Sequence, residues 1–182
     1  MTETIQRIAP ADWREQIIIR RLRHEDLPAL EWEGEYRRFR QVYADTYQRM
    51  RRGKASMWVA VLPDRGVIGQ VFIQFSCDRK ELADGISRAY FFSFRVRPEF
   101  RSAGVGAKLL QAVEEETLSR RMRWLCLNVA KDNLRGQQFY ARHGYELVAD
   151  EPGTWYYKDD DGNLQQVHEP AWRMEKDLFA SG

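Results

Sequence analysis

The 182-residue chain has an ordinary globular composition, with 43% hydrophobic and 31% charged residues, which predicts one domain over residues 1–182 with its own core. Its formal net charge of +2 is too small an excess to indicate a nucleic-acid or membrane partner by charge alone. The first residues contain no apolar signal segment, apolar runs are short, and the two cysteines are too few for a disulfide framework. We therefore expect a cytoplasmic protein with no membrane contact, in which residues 1–16 form a flexible N-terminal segment.

The first half of the chain predicts a strand, two helices and three further strands. The triplet His24-Glu25-Asp26 is typical of a helix start. Aromatic residues recur at spacings of three and four from Tyr36 onward, which predicts an amphipathic helix with its aromatic stripe in the core. Strands are predicted over residues 17–22, 55–62, 66–76 and 88–96. In the last of these, strict alternation would place Tyr90, Phe92, Phe94 and Val96 on one face.

The second half alternates between helices and strands. Leu109, Leu110 and Val113 mark a helix face, residues 124–130 a buried strand, and residues 132–144 a helix that ends at Gly144. A strand follows at 145–150. Residues 151–178 then predict an extended C-terminal hairpin that turns near Asp161. There is no repeat or linker, so the order indicates a single mixed α/β domain.

Residues 36–54 contain seven basic residues and one acidic residue. A solvated helix face is the expected interpretation, because no nucleic-acid-binding motif accompanies the run. A nucleic-acid-associated protein remains an alternative, which nucleic-acid binding with a steep salt dependence would support. We expect no nucleic-acid partner.

The stretch "RSAGVGAKLL" at residues 101–110 lies between a strand and a helix. Small residues in that position leave backbone amides free at a helix N-terminus, where phosphate commonly binds. A dinucleotide fingerprint fails because Leu109 stands where a small residue is needed, and a P-loop fails because Lys108 is flanked by Ala107 and Leu109. The pattern V-x-P-x-x-R-x-x-G-x-G does match, through Val96, Pro98, Arg101, Gly104 and Gly106.

That pattern resembles the pyrophosphate loop of the Gcn5-related N-acetyltransferases, the GNAT superfamily. A second segment, "LNVAKDNLRGQQFYARHGYELV", is similar to the other signature of this family, through Asn133, Phe139, Tyr140, Gly144 and Tyr145. Two positions depart mildly from the family pattern: Gly136 replaces a common alanine, and Ser102 a common arginine or glycine. The resemblance covers nearly the whole chain.

The resemblance implies a mixed, mostly antiparallel, splayed sheet of about seven strands flanked by about four helices. It implies an N-acetyltransferase that uses acetyl-CoA and no metal, acting on a primary amine of a small molecule, a protein N-terminus or a lysine. A homodimer is compatible with this family. The residues it implies for binding the co-substrate are Phe94, Val96, Arg101, Ser102, Ala103, Gly104, Val105, Gly106 and Asn133.

Acyl transfer to an amine requires a neutral amine, stabilisation of charge on the acyl oxygen and a proton for the departing thiolate. By resemblance, the Val96 amide meets the second need, Tyr140 supplies the proton and Asn133 positions the pantetheine arm. Packing is the competing interpretation for Tyr140. Cys126, in an apolar strand, is expected to pack rather than to react.

The general base stays unassigned. The strand at 88–96 contains no acidic residue, and the candidates elsewhere are Glu31, Glu33, Glu35 and His168, each of which could equally be an ordinary surface group. The acidic run at 159–161 and the glutamates at 31–35 weakly favour a cationic amine substrate. The missing strand carboxylate also leaves open a non-catalytic module that binds acyl-CoA.

Overall fold

The computed structural model describes residues 12–180. Its helices are α1 (Arg40–Arg51), α2 (Val105–Ser119), α3 (Leu134–Arg142) and one long 3-10 segment, His24–Gly34. Short 3-10 turns lie at Trp13–Gln16, Arg37–Phe39 and Pro98–Phe100. Its strands are β1 (Ile18–Arg21), β2 (Ala55–Leu62), β3 (Gly66–Gln74), β4 (Arg88–Val96), β5 (Trp124–Ala130), β6 (Glu146–Glu151), β7 (Thr154–Lys158), β8 (Leu164–His168) and β9 (Ala171–Asp177).

Seven strands form one sheet in the order β1-β2-β3-β4-β5-β9-β6, and β7 and β8 form a separate two-stranded ribbon. Every neighbouring pair in the sheet is antiparallel except β4 and β5, which run parallel. The parallel pairing covers only three positions, from Arg88 opposite Trp124 to Tyr90 opposite Cys126. Beyond Tyr90 the two strands diverge, which splays the centre of the sheet. The predicted fold class is confirmed.

Each face of the sheet carries its own apolar core. The larger cluster packs α2 and α3 against one face and includes Leu109, Phe91 and Tyr145. The smaller cluster packs α1 and the 3-10 segment against the other face, and contains Phe72 and Tyr43. These are the two helix-on-sheet layers that amphipathic helices beside a central sheet are expected to form.

A buried carboxylate fastens α2 to the edge of the sheet. Glu116 accepts hydrogen bonds from the Trp58 indole at 2.6 Å and from Arg21 at 2.8 Å, and its side chain is 4% exposed. A second carboxylate, Asp26, accepts both guanidinium nitrogens of Arg20 at 2.7 and 3.0 Å and the Arg23 amide at 2.7 Å. Burial alone would raise the Asp26 pKa, but these donors outweigh it and hold the pKa below its ordinary value.

The expected alternation along β4 is wrong because the strand is bulged. The register against β3 shifts between Gln70 and Phe72, and Ser93 on the bulged strand has a φ of 51°. One extra residue in a strand moves every side chain after it to the opposite face of the sheet. Phe94 therefore packs against Tyr140, whereas Phe92 packs against Phe72 on the opposite face.

Two other elements differ from expectation. The helix predicted from His24 is a 3-10 segment in which Trp32 and Glu33 adopt left-handed backbone angles, and Pro28 inside it removes one backbone donor. Residues 151–178, predicted as one hairpin, form the β7–β8 ribbon, after which β9 enters the main sheet between β5 and β6. β9 pairs with β5 and β6, which are distant from it in sequence. Local turn chemistry does not predict such pairings.

At the N-terminus, residues 1–11 of the predicted flexible segment lie outside the described residues. Trp13, in the short turn that follows, packs edge-on against Phe100 at 5.3 Å between ring centres. Within the described part of the chain, none of the helices has the length and apolar character needed to cross a membrane.

Candidate active site

The glycine-rich stretch forms a bend that opens the N-terminus of α2. Gly104 is the N-cap residue, with a φ of 85° and no side-chain acceptor for the first turn. Ser102 also has a positive φ of 58°. The first amides of an α-helix have no intrahelical acceptor, and a Cβ on Gly104 would meet nothing within 4 Å. The main chain here is open to an incoming anion.

A groove of about 520 Å³, the loop–helix groove, runs between this bend and α3. Eight of the ten residues predicted for the site line it: Phe94, Val96, Arg101, Ser102, Gly104, Gly106, Asn133 and Tyr140. The Val105 side chain is 1% exposed within the core, so only its amide faces the bend. Ala103 lies in the bend itself and does not line the groove.

Four arginines line the groove: Arg95, Arg101, Arg135 and Arg142. Among residues 12–180, none of them forms a salt bridge. Arg135 donates to the Ser102 hydroxyl and so ties α3 to the bend. Sequence reasoning missed Arg135 and Arg142, although their spacing of seven places them on one face of α3. Unpaired guanidinium groups beside free helix amides favour a polyanionic ligand.

Asn133 stands at the start of α3 and acts as its N-cap. Its Oδ1 accepts the Gly136 amide at 2.9 Å. A Cβ on Gly136 would lie 2.6 Å from Asn133 Nδ2, so the glycine allows the asparagine to fold back over the helix. Nδ2 makes no hydrogen bond to the described residues and is left to donate into the groove.

Beyond Tyr90 the diverging strands enclose the strand cleft, a space of about 320 Å³ between β4 and β5. The Arg97 amide donates to the Ile68 carbonyl of β3 at 2.8 Å. Because amides alternate in direction along a strand, the preceding amide, that of Val96, points away from β3, and Val96 lines the loop–helix groove rather than the strand cleft. The Val96 carbonyl on the same side accepts Arg101 Nε at 2.8 Å.

Tyr140 lines both the loop–helix groove and the strand cleft. Its ring is 9% exposed and packs against Phe91, Phe94 and Phe139 at 5.8, 6.1 and 5.3 Å between ring centres. Burial, with a smaller contribution from Tyr90, raises the pKa of Tyr140 well above its usual value. Its hydroxyl makes no hydrogen bond to any described residue. It is therefore a protonated phenol at the junction of two cavities.

A third space of about 700 Å³, the aromatic cavity, adjoins the cleft on the α1 side. Aromatic side chains from the 3-10 turn before α1, from β4 and from the ribbon form much of its wall, among them Phe39, Phe92, Trp155 and Tyr157. The two spaces share Asn128, Arg95 and Glu169. The groove and the cleft in turn share Asn133 and Tyr140, so the three spaces adjoin one another across the splayed sheet.

The suggested bases lie elsewhere. Glu31 and Glu33 form two-point ion pairs with Arg40 and Arg97, and neither they, Glu35 nor His168 line the cleft or the aromatic cavity. The arginine hydrogen bond holds the pKa of Glu33 below its ordinary value. Glu169, which sequence reasoning did not identify, lines both spaces and forms no salt bridge with the described residues.

Two acidic side chains of the run at 159–161, at the turn of the ribbon, also have partners within the chain. The Asp159 carboxylate accepts hydrogen bonds from the amides of Asp161 and Asn163, and Asp160 forms a salt bridge with Arg37 at 3.0 Å. Two of the three carboxylates are therefore engaged within the fold, which weakens the indication of a cationic substrate.

Cys126 is fully buried, and burial raises the pKa of its thiol to about 12, which agrees with a packing role.

A family model described as the acetyltransferase (GNAT) family matches residues 19–145, which is more than half of the chain. The chain belongs to this family. The resemblance drawn from the two motifs is thereby confirmed, and the GNAT chain is an acetyltransferase-family enzyme. No curated protein matches its sequence significantly.

Solved structures similar to this GNAT chain share its fold at low sequence identity. The spermidine/spermine N-acetyltransferase SpeG of Vibrio cholerae, in complex with manganese ions, has a TM-score of 0.68 at 15% identity, over 93% of this chain and 96% of that one. An N-acetyltransferase of Staphylococcus aureus has a TM-score of 0.69 at 16% identity, over 89% and 98%. The ribosomal-protein-S18-alanine N-acetyltransferase of Escherichia coli has a TM-score of 0.64 at 20% identity, over 89% and 94%.

Proposed function

We propose that this GNAT protein transfers an acetyl group from acetyl-CoA to a primary amine by direct attack within a ternary complex. The observation that carries the proposal is that the loop–helix groove, the strand cleft and the aromatic cavity adjoin one another, with Tyr140 lining the first two. A two-substrate reaction needs two entrances that meet at one point.

The groove suits the diphosphate of coenzyme A. The open amides at Gly104 and the unpaired Arg101, Arg135 and Arg142 offer main-chain and charge-assisted donors together. Asn133 Nδ2 would donate to the pantetheine arm where the groove enters the cleft. Acetyl-CoA, when bound, supplies the thioester.

Two groups of the chain are suited to the charge changes of transfer. The Val96 amide, which points away from β3 at the loop–helix groove, would stabilise negative charge developing on the acyl oxygen. Tyr140 would donate its proton to the leaving sulfur. Its raised pKa keeps the phenol protonated at neutral pH, which an acid requires.

On the acceptor side, an amine resembling lysine has a pKa near 10.4 and must lose a proton before it attacks. Glu169 is the carboxylate that lines both the cleft and the aromatic cavity. We assign it to hold the ammonium form of the acceptor and to receive or relay its proton. Glu169→Gln is expected to lower kcat/KM for the amine at unchanged CoA affinity.

Calorimetric titration of CoA into two glycine variants tests the groove. Gly104 and Gly53 have φ values of 85° and 73°, and an added Cβ meets nothing within 4 Å at either position. Valine should therefore strain the backbone similarly at both sites, by about 1–2 kcal/mol. Only Gly104 lines the groove, so Gly104→Val should weaken CoA binding at least tenfold and Gly53→Val should not.

Equal CoA affinities in the two variants would refute the groove assignment. Thiol release from acetyl-CoA with a mixed panel of amines tests the reaction itself. CoA binding without thiol release for any amine would favour a non-catalytic module that binds acyl-CoA.

A further inference from the structure

Two arginines of the aromatic cavity have no acidic partner. Arg38 and Arg95 line this space, and neither forms a salt bridge within residues 12–180. Their neighbours in sequence behave differently, since Arg37, Arg40 and Arg97 each pair with a carboxylate. The unpaired positive charge is therefore concentrated at the wall of the cavity.

Aromatic contacts hold both guanidinium groups in place. The Arg95 guanidinium lies 4.1 Å from the centre of the Tyr36 ring, and the Arg38 guanidinium lies 4.5 Å from the centre of the Phe39 ring. Arg95 also lies 5.4 Å from the Phe39 ring, so one ring is flanked by two like charges. An anion in the cavity within reach of both groups would offset that repulsion and accept hydrogen bonds from their planar donors.

Most donors of the two side chains remain available. Arg95 Nη1 donates to the Tyr43 hydroxyl at 3.1 Å, and Arg38 Nη1 donates to the Glu35 carbonyl at 2.8 Å. A guanidinium has five N–H donors. These contacts orient each group through neutral acceptors and leave its charge unmatched.

The other charges of the cavity are arranged differently. Glu151 is buried and already bound by Arg79 and Arg173, so its negative charge is neutralised by these two arginines. Glu169 carries unmatched negative charge at the mouth of the strand cleft, where Tyr140 lies. An acceptor with an ammonium beside Glu169 and an anion beside Arg38 and Arg95 would match both kinds of charge.

We propose that the acceptor is an amine that also carries an anionic group, a carboxylate or a phosphate, bound by Arg38 and Arg95. The aromatic wall formed by Phe92, Trp155 and Tyr157 would contact an apolar part of the same molecule. A polyamine, which has only cationic groups, is disfavoured by this cavity. The inference rests on the proposed acetyl transfer and narrows its substrate class.

Matched amines test the proposal with the full-length protein and acetyl-CoA. The pairs are L-phenylalanine with L-phenylalaninamide, and O-phosphoethanolamine with ethanolamine, and spermidine is the cationic comparison. In at least one pair the anionic member should have a kcat/KM at least tenfold above its uncharged partner, and the pair that responds distinguishes carboxylate from phosphate. A preference for the uncharged partners or for spermidine would overturn the inference while leaving acetyl transfer intact.

Charge removal provides the second arm. Arg95→Gln and Arg38→Gln should each raise KM for the anionic amine at least tenfold and leave KM for its uncharged partner unchanged. Arg51→Gln, an exposed arginine on α1 outside the cavity, is the control and should change neither. Equal effects of Arg95→Gln on both members of a pair would assign this arginine to packing and refute its binding role.

A binding measurement separates the two proposals if no amine is acetylated. N-acetyl-L-phenylalanine and its carboxamide, and N-acetyl-O-phosphoethanolamine and N-acetylethanolamine, are titrated by calorimetry into the protein saturated with CoA. Binding of an anionic member at least tenfold tighter than its partner, lost in Arg95→Gln, supports the anion site even without turnover. Absence of that difference in both pairs overturns it.

Discussion

Two neighbouring tyrosines permit a direct test of the proposed acid. Tyr140 and Tyr145 lie 6.1 Å apart between ring centres, and both are buried. The Tyr145 hydroxyl donates to Glu114 at 2.9 Å, whereas the Tyr140 hydroxyl makes no hydrogen bond to the described residues and opens on the cleft. The same substitution, tyrosine to phenylalanine, should therefore have opposite consequences at the two sites.

Tyr140→Phe should lower kcat by about 10² to 10⁴, the range of a general acid, which corresponds to about 3–5 kcal/mol of barrier. Its stability should change by less than about 0.5 kcal/mol, because no hydrogen bond is lost. Tyr145→Phe should lose about 1.5–3 kcal/mol of stability, because its partner is charged, and keep kcat. CoA affinity should change little in either variant.

Thiol-release kinetics and denaturant unfolding of both variants provide the measurements. Because burial raises the Tyr140 pKa, titration of this group should cause no alkaline fall in kcat below about pH 10. A Tyr140→Phe variant that keeps kcat within threefold of the wild type would remove this residue from the acid role. A large loss of kcat in Tyr145→Phe as well would indicate that packing, rather than the phenol proton, is responsible.

Three further predictions concern stability and are read by denaturant unfolding. Ser93→Gly should raise stability by about 1 kcal/mol, because glycine adopts a φ of 51° without strain, and unchanged stability would show that the bulge is unstrained. Glu116→Ala should lower the free energy of unfolding by about 3 kcal/mol, and a double-mutant cycle with Trp58→Phe should give a coupling energy above about 1 kcal/mol. Additive effects of the two substitutions would contradict the hydrogen bond between Trp58 and Glu116. Asp26 has a lowered pKa in the folded state, so its stabilising contribution is present above its unfolded pKa of about 3.9 and is lost as the pH falls through the folded value. Asp26→Asn should consequently lose less stability than the wild type between about pH 4 and pH 2, and parallel losses would contradict this.

The parts of the site that sequence could predict are local in the chain. The bend at Gly104 and the start of α3 at Asn133 each depend on a few consecutive residues whose backbone needs can be read from residue type. The family resemblance then placed both segments in one groove. Arg135 lies two residues after Asn133 and was recognisable in principle, because a basic face on α3 accompanies the motif.

The aromatic cavity could not be predicted in the same way. Its walls come from α1, β4 and the ribbon, and no local pattern relates Arg38, Trp155 and Glu169. The position of the ribbon depends on β9 entering the sheet between β5 and β6, a pairing of strands that are distant in sequence. The acidic run at the ribbon turn consequently suggested a cationic substrate, although Asp159 is bound by the turn and Asp160 by Arg37.

The bulge at Ser93 connects these two halves of the site. Without the extra residue, strict alternation would turn Arg95 toward the α2 and α3 face and Phe94 toward α1. With it, Phe94 packs on Tyr140 at the groove, while Arg95 contacts the Tyr36 ring and lines the aromatic cavity. A non-glycine residue with a positive φ costs about 1–2 kcal/mol, and strain of this kind commonly persists at functional sites. Here one strained residue lets the same strand place the apolar Phe94 at the loop–helix groove and the charged Arg95 at the aromatic cavity, where the acceptor is proposed to bind.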